Sequence, residues 1–572
     1  MAVAAGSVLA LAMAGCGTTT TRQATASAKP QVGGTAVYAL PVQTSPNWFF
    51  PLISLNADSV INYQTDFMMY KPLVYYSQSD KFKPQHSLAE SVTWNKNDSV
   101  YTIRLNPKWH WSNGHPVTAQ DVVFTWDIMK AGSLTHTPYA WAFSGEGSGG
   151  IPNDWKSVVA TNAHTVVITT TTPRNPEWFV RNGLLEIMPV PQSVWDKYPR
   201  NMSKEMSFIN SVANSPLNPV YHVVDGPYQL ASYQPGNYWD FTPNAQYNGH
   251  QSYLSKVVFK YETSASSEFA ALKTGTVSVG YLGVSLLGAQ AQLTHDTVSA
   301  LYHPGFDYIA LNLNPHAPQG IGKAFAQLPV RQALQMGVDE AGMIAHIFHG
   351  YGVIDDSSLA PRPNTPLFNP ALSTQLYPFD PARGKQLLVR NGWHEIHGVM
   401  TKNGIPLDFT MDYAAGNQSG ADMVQLLKSD WAAEGIVVNL VPEPFDTVVS
   451  YGPTDASKWA VVDWSDGAAW TYGNDPYPTG GSLFATNAGE NGGDYSNKEM
   501  DRLIQATYEP GTAAQTLHRL YQYEMYVAQQ LPGAIFLPME PDFMVHVKTI
   551  HGTQTGWDSV GGIHPNYWWI SQ

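Results

Sequence analysis

The sequence predicts a mixed α/β protein large enough to form two lobes, on three observations. The chain has 572 residues, which at roughly 100–200 residues per domain leaves room for about three or four domains or one large two-lobed body. Segments with the two-residue period of half-buried strands are interleaved with segments of helical period along most of its length, a mixture that favours α/β or α+β layers. No segment recurs at a fixed spacing, which removes the repeat solenoids.

Composition narrows the function classes. Apolar residues make up 43%, so the chain is neither disordered nor an integral membrane protein. Charged residues are only 13%, about half the usual share of roughly 25%. That low density is compatible with an acidic exterior, where carboxylates are protonated. The 31 Lys and Arg against 45 Asp and Glu leave a formal charge of −14. This argues against binding nucleic acid or anionic lipid by bulk attraction, because counterion release needs a basic surface. Cys16 is the single cysteine. It allows no intramolecular disulfide and no zinc site of the common thiolate types.

Residues 2–15 are a run of small apolar residues, too short to span a bilayer as a helix and matching the apolar core of an export signal. The run ends in Met13-Ala14-Gly15-Cys16, which resembles a bacterial lipobox. The resemblance implies cleavage before Cys16 and lipidation of its thiol, an anchor of more than one acyl chain. Two features depart from the pattern: Met13 stands where Leu is usual, and no Lys or Arg precedes the run. The plain alternative is a secretion signal without lipidation. Residues 16–33 have no periodicity and one bulky apolar residue, Val32, and read as a disordered tether. No later stretch holds 18 uninterrupted apolar residues.

The body begins near residue 34. Thr35 to Leu40 reads as a strand, residues 58–76 as a helix turning extended at Leu73 to Tyr76, and Ser99 to Leu105 as a half-buried strand. Thr118 is placed to cap a helix through Lys130 with Asp121 in its first turn. Thr165 to Thr170 is a further β-rich run. Helices are expected at 266–274, 329–348, 380–391, 418–434, 497–508 and 512–530. Strands are expected at 226–233, 237–243, 256–262, 307–313, 406–413, 436–441 and 459–463.

One block carries a resemblance: Leu88-Ala89-Glu90-Ser91, Trp94, Tyr101 to Leu105, then Trp109-His110-Trp111-Ser112-Asn113-Gly114-His115-Pro116-Val117-Thr118-Ala119-Gln120-Asp121-Val122-Val123-Phe124. It resembles the signature of the large extracytoplasmic solute-binding proteins of the peptide/nickel class, family 5, which serve ABC importers. Asn113 stands where that family has Asp, a mild change in a turn. Further blocks follow in order: Gly226-Pro227-Tyr228, Asn244 with Tyr247, Ala271 to Gly275, Asn312-Leu313-Asn314, Val330 to Leu334 with Val338-Asp339, Tyr377 to Ala382 with Gly392-Trp393, Asn474-Asp475-Pro476, and Tyr495-Ser496-Asn497 with Asp501. Thr276-Val277-Ser278 departs from the family's usual Glu-Val-Asp.

The resemblance implies a two-lobed periplasmic-binding-protein-like α/β fold of type II, with an extra subdomain on the first lobe and two hinge crossings. The first lobe takes residues 34–57, 187–303 and 538–572, the extra subdomain 58–186, and the second lobe 304–537. The crossings fall near Tyr302-His303-Pro304 and Leu537-Pro538, and hinge closure of this kind can bury a ligand. The implied ligand is an oligopeptide added as a strand, its ammonium paired with a second-lobe carboxylate. In the region Val461 to Trp470 and Asn474-Asp475-Pro476 an insertion blurs the register. Asp463, Asp466 and Asp475 all qualify, with Asp463 favoured and Trp464, Ser465 and Trp470 beside it. The alternative is that Asp475 shapes a turn and Asp466 is solvated. The first-lobe strand facing the ligand is expected near Gln43, Ser45 and Asn47. Tyr413, Asn417 and Phe445 fall on segments that face the cleft in relatives, though an aromatic is more often core than ligand platform.

Other motifs are set aside. His346 and His349 lie three apart, but Gly350 follows directly, as at a helix end. His394 and His397 lack the spacing of zinc peptidases. The glycine-rich run Gly145 to Gly150 lacks the Lys and Thr of a phosphate loop, and no Gly-x-Ser-x-Gly elbow occurs. The expected function is therefore a lipid-anchored, monomeric receptor that is not an enzyme and holds no cofactor or metal. It would deliver oligopeptides to an ABC permease and its ATPase subunits. An oligosaccharide receptor of the same fold is the alternative, suggested by 18 Trp; a nickel-chelate receptor or an anchored hydrolase stands further off.

Overall fold

The computed structural model describes residues 29–76, 82–133, 139–451, 456–464, 470–473, 476–553 and 562–571. Cys16, Ser465, Asp466 and Asp475 lie outside them. Among the described residues no helix is long and apolar enough to cross a membrane.

Two large sheets organise the chain. The first has seven strands in the order Asp296–Leu301, Asp542–Val547, Val279–Tyr281, Thr35–Ala39, Lys256–Lys260, Tyr238–Pro243 and Tyr228–Gln234. Thr35–Ala39 runs parallel to both its neighbours. Its β-branched and aromatic residues suit this central place, and Ala36, Tyr38 and Ala39 are fully buried. The second sheet has six strands: Val437–Glu443, Asp408–Ala414, Val461–Asp463, Gly305–Leu311 and Trp470–Thr471 in order, with Ala534–Leu537 on the other edge of Gly305–Leu311. Every residue of Gly305–Leu311 is buried, as a strand paired on both edges and covered on both faces requires. The result is the two-lobed binding-protein fold.

The lobes are joined twice. The chain leaves the first sheet after Leu301 and enters the second at Gly305; it leaves the second after Leu537 and re-enters the first at Asp542. The crossings run side by side, because Asp296–Leu301 is antiparallel to Asp542–Val547 and Gly305–Leu311 is antiparallel to Ala534–Leu537. His303 Nε2 and Asp542 Oδ2, 3.0 Å apart, tie one crossing to the other.

A separate four-stranded antiparallel sheet, in the order Ala89–Trp94, Val100–Leu105, Thr165–Thr170 and Trp155–Asn162, lies in the stretch between Thr35–Ala39 and Tyr228–Gln234. The Trp109–Phe124 signature belongs here and is structural. Thr118 caps the Ala119–Gly132 helix in a reciprocal capping box with Asp121. Asp121 also accepts from Trp111 Nε1 at 3.3 Å and Gln192 N at 2.9 Å. Trp109 is covered by the buried Lys71, whose ammonium sits 4.3 Å above the indole and donates to His86 O at 2.8 Å. Asp121→Ala would leave these donors unpaired in the interior. It should lower unfolding free energy by about 2–4 kcal/mol, measured by urea denaturation, with far-UV circular dichroism unchanged.

Two expected elements differ. The helix expected over 329–348 is two helices, Leu328–Met336 and Glu340–His346. The break is at Gly337, where an added Cβ would lie 2.3 Å from the Trp431 ring, and Asp339 recaps the chain by accepting from Gly342 N at 2.9 Å. Leu73 to Tyr76 forms no strand. Leu73 N donates to Ile187 O and Leu73 O accepts from Ala89 N, so this backbone is spent on neighbouring segments. His346 is the last residue of its helix and His349 has a left-handed φ of 52° beyond it; both are exposed.

Candidate functional site

A cavity of about 380 Å³ lies between the two sheets against the hinge. Its wall takes Tyr281 and Phe543 from strands of the first sheet, Tyr308 and Ala310 from the second, and His303 and Glu540 from the crossings. A cavity built this way changes shape with any swing about the crossings.

Most of the expected ligand residues sort clearly. Asn417, Phe445, Trp464 and Trp470 line the cavity. Trp464 packs on Tyr308 with ring centroids 5.0 Å apart, and Trp470 pairs with Phe306 at the start of Gly305–Leu311. Gln43, Ser45, Asn47, Tyr413 and Asp463 are not among the residues that line it. Asp463 is 1% exposed and lies inside the second sheet, opposite Ile309 and Tyr413. Asn47 is bonded to Asn62, whose Nδ2 donates to its Oδ1 at 2.8 Å. Ser45 Oγ donates to Asp446 Oδ2 at 3.1 Å, joining the loop after Thr35–Ala39 to the Phe445–Tyr451 helix of the second lobe. Burial pushes Asp446 up to about 6, opposed by this bond.

Acids in no motif also line the cavity: Asp58, Glu186, Glu268, Glu490, Glu540 and Asp542. Burial pushes Asp58 up to about 6, with Tyr63 opposing it. Glu268 is pushed up to about 8 by burial although its Oε1 accepts from Tyr281 N at 2.6 Å. Glu186 is set beside Gly145, where an added Cβ would come within 2.7 Å of its Oε2. Nothing in the local sequence marks these residues, which come from segments hundreds of positions apart. Among the described residues no group of three or more His, Cys, Asp or Glu is arranged to hold a metal ion.

Two lobes hinged about an aromatic and acidic cavity define a protein that encloses a ligand. Residues 83–491 match the bacterial extracellular solute-binding proteins, family 5, and the chain belongs to that family, whose members are binding receptors. The oligopeptide-binding protein AppA of Bacillus subtilis is 22% identical over 439 residues, 75% of this chain and 74% of that one. The structure of AppA from Bacillus subtilis in complex with a nonapeptide superposes with a TM-score of 0.80 at 19% identity, covering 95% of this chain and 100% of that chain. NikZ from Campylobacter jejuni in complex with Ni(L-His) gives 0.74 at 21% identity, covering 94% and 99%.

Proposed function

We propose that the protein is a lipid-anchored receptor that captures oligopeptides between its lobes and delivers them to the permease of an ABC importer. The importer's ATPases would supply the energy. The observation that supports this most is the hinge-side cavity walled by both sheets and edged with Trp464, Trp470 and Phe445, in a fold shared with a relative solved around a nonapeptide. Asn417 and these aromatics are the proposed ligand contacts. Of the acids expected to meet the ligand's ammonium, Asp463 is enclosed in its sheet and Asp466 and Asp475 lie outside the described residues; Asp58 and Glu490, outside that expectation, line the cavity. Residues 58–186 are proposed as the extra subdomain, since their strands form a sheet of their own. Anchoring rests on the apolar run ending in Cys16.

A thermal-shift series of oligopeptides, cello- and xylo-oligosaccharides and nickel chelates tests this reading. A ligand at about a hundredfold its dissociation constant stabilises the folded state by roughly 2.7 kcal/mol. Peptides should raise Tm by several degrees and the other two should not. A rise with sugars or chelates alone would refute the peptide assignment.

A further inference from the structure

The charge of the cavity wall narrows the ligand. Among the described residues no Lys or Arg lines it, while six carboxyl groups do. Its one basic ring, His303, is already engaged with Asp542. Glu268 is discounted as an anion at neutral pH, since burial pushes it up to about 8. Three of the others converge on one place. Burial first, and then the charges of Asp58, Glu186 and Glu490, push the Tyr63 hydroxyl up; Tyr63 also lines the cavity. Asp58 and Glu186 come from the stretch carrying the four-stranded sheet and Glu490 from the stretch between strands of the second sheet. Segments distant in the chain thus bring negative charge to a shared space. Two neutral donors also line the cavity. Ser482, 3% exposed, lines the cavity with its Oγ buried and no hydrogen-bond partner among the described residues. The half-buried Trp470 also lines it, and its Nε1 has no hydrogen-bond partner among the described residues.

Carboxylates drawn into a low-dielectric space are costly unless protonated or met by a cation, and charges there interact several times more strongly than in water. An anionic guest would add to the repulsion. A neutral guest would displace water from the carboxylates and return hydrogen bonds but no opposite charge. A cationic guest replaces that water with charge-assisted hydrogen bonds. Among the described residues its own carboxylate would find neutral donors such as Ser482 Oγ and Trp470 Nε1.

Resting on the peptide reading above, we propose that the cavity selects oligopeptides of net positive charge, with Lys or Arg side chains or the terminal ammonium placed among Asp58, Glu186 and Glu490. Calorimetric titration of the full chain at pH 7 tests this. The probes are peptides of five to nine residues in three length-matched series, Lys/Ala, Ser/Ala and Glu/Ala, with spermidine as a separate arm. The Lys series should bind at least tenfold more tightly than the Ser series, the Glu series should not bind, and the Lys advantage should shrink as salt rises. Asp58→Asn and Glu490→Gln should each weaken the Lys series at least threefold more than the Ser series, whose terminal ammonium meets the same acids, a differential that misfolding would not give. Equal or tighter binding of the Ser or Glu series would overturn the charge preference and leave the peptide reading standing. Binding of spermidine with no peptide bound would overturn the peptide reading and support the charge preference. Binding of neither would overturn both.

Discussion

Asn182→Ala should weaken ligand binding by about thirtyfold, although Asn182 lies outside the cavity wall. Asn182 sits in the helical turn Phe179–Leu184, 1% exposed, and its amide grips the backbone of Tyr477 from both sides. Its Nδ2 donates to Tyr477 O at 2.8 Å and its Oδ1 accepts from Tyr477 N at 3.0 Å. Beside it Trp178 stacks on Tyr508 with centroids 3.8 Å apart, and Asn175 N donates to Tyr508 O at 2.7 Å. These contacts join the stretch carrying the four-stranded sheet to the Tyr477 and Tyr508 segments, which lie in sequence between strands of the second sheet. The four-stranded sheet is fastened to the first lobe through bonds such as Ser112 N to Val224 O and Gly226 N to Met69 O. A swing about the two crossings would therefore part Asn182 from Tyr477. Truncation leaves a buried N–H and C=O unpaired in the closed form and hydrated in the open one, a difference of about 2 kcal/mol. Since binding is linked to closure, that difference passes into affinity at about tenfold per 1.4 kcal/mol. Calorimetry on wild type and variant, with Tm of both ligand-free proteins, checks it. Unchanged affinity with a lowered Tm would show that the pair persists in the open form.

What the sequence reveals follows from where the determinants lie. The Thr118–Asp121 cap is readable because both partners lie within one turn. The strands at Val100–Leu105, Tyr238–Pro243 and Asp408–Ala414 alternate clearly enough to be expected within about two residues. The hinge strands Ala534–Leu537 and Asp542–Val547 escape, although the crossing between them is expected near Leu537-Pro538. Ala534–Leu537 is four buried residues without alternation, and such a run cannot be told from helix by period. The site is less legible than the fold. Trp464, Trp470, Asn417 and Phe445 are reached through the resemblance, but proximity in sequence to the same block also nominates Asp463, which the sheet encloses. Asp58, Glu186 and Glu490 belong to no motif. Only the closing of three distant segments around Tyr63 gives them a common meaning.

The second large effect is on pH stability, which should peak near pH 4–5 and fall toward pH 8. Many carboxyl groups are buried with their acidities weakened by burial. Asp356, Asp412 and Asp430 rise to about 6, and Glu340, Asp355 and Glu524 rise in the same sense. A carboxyl whose folded pKa is raised binds its proton more tightly in the folded state. Its stabilisation is full below the unfolded value, near 4, and is lost as pH climbs through the folded value. Lys71, lowered to about 7 by burial, works the other way above neutrality, but it is one group against many. Glu434 is the sharpest case. It is fully buried at the end of the Gln418–Ala433 helix, and neither oxygen has a hydrogen-bond partner among the described residues. Gly337 and Gly384 leave it its space, since added Cβ atoms would lie 2.7 and 2.5 Å from its oxygens. Burial, then the charges of Asp380 and Asp430, push it up to about 9. Glu434→Gln keeps the shape of the protonated acid and removes the cost of holding it neutral. At pH 8 it should raise unfolding free energy by about 2–4 kcal/mol and at pH 4 by little, at about 1.4 kcal/mol per pKa unit. Urea denaturation at both pH values measures this, and a variant no more stable than wild type at pH 8 would refute it. The same reasoning gives the low charge density of the chain a physical sense. With only 13% charged residues and many carboxyls raised by burial, the fold loses little where protons are plentiful and most where they are scarce.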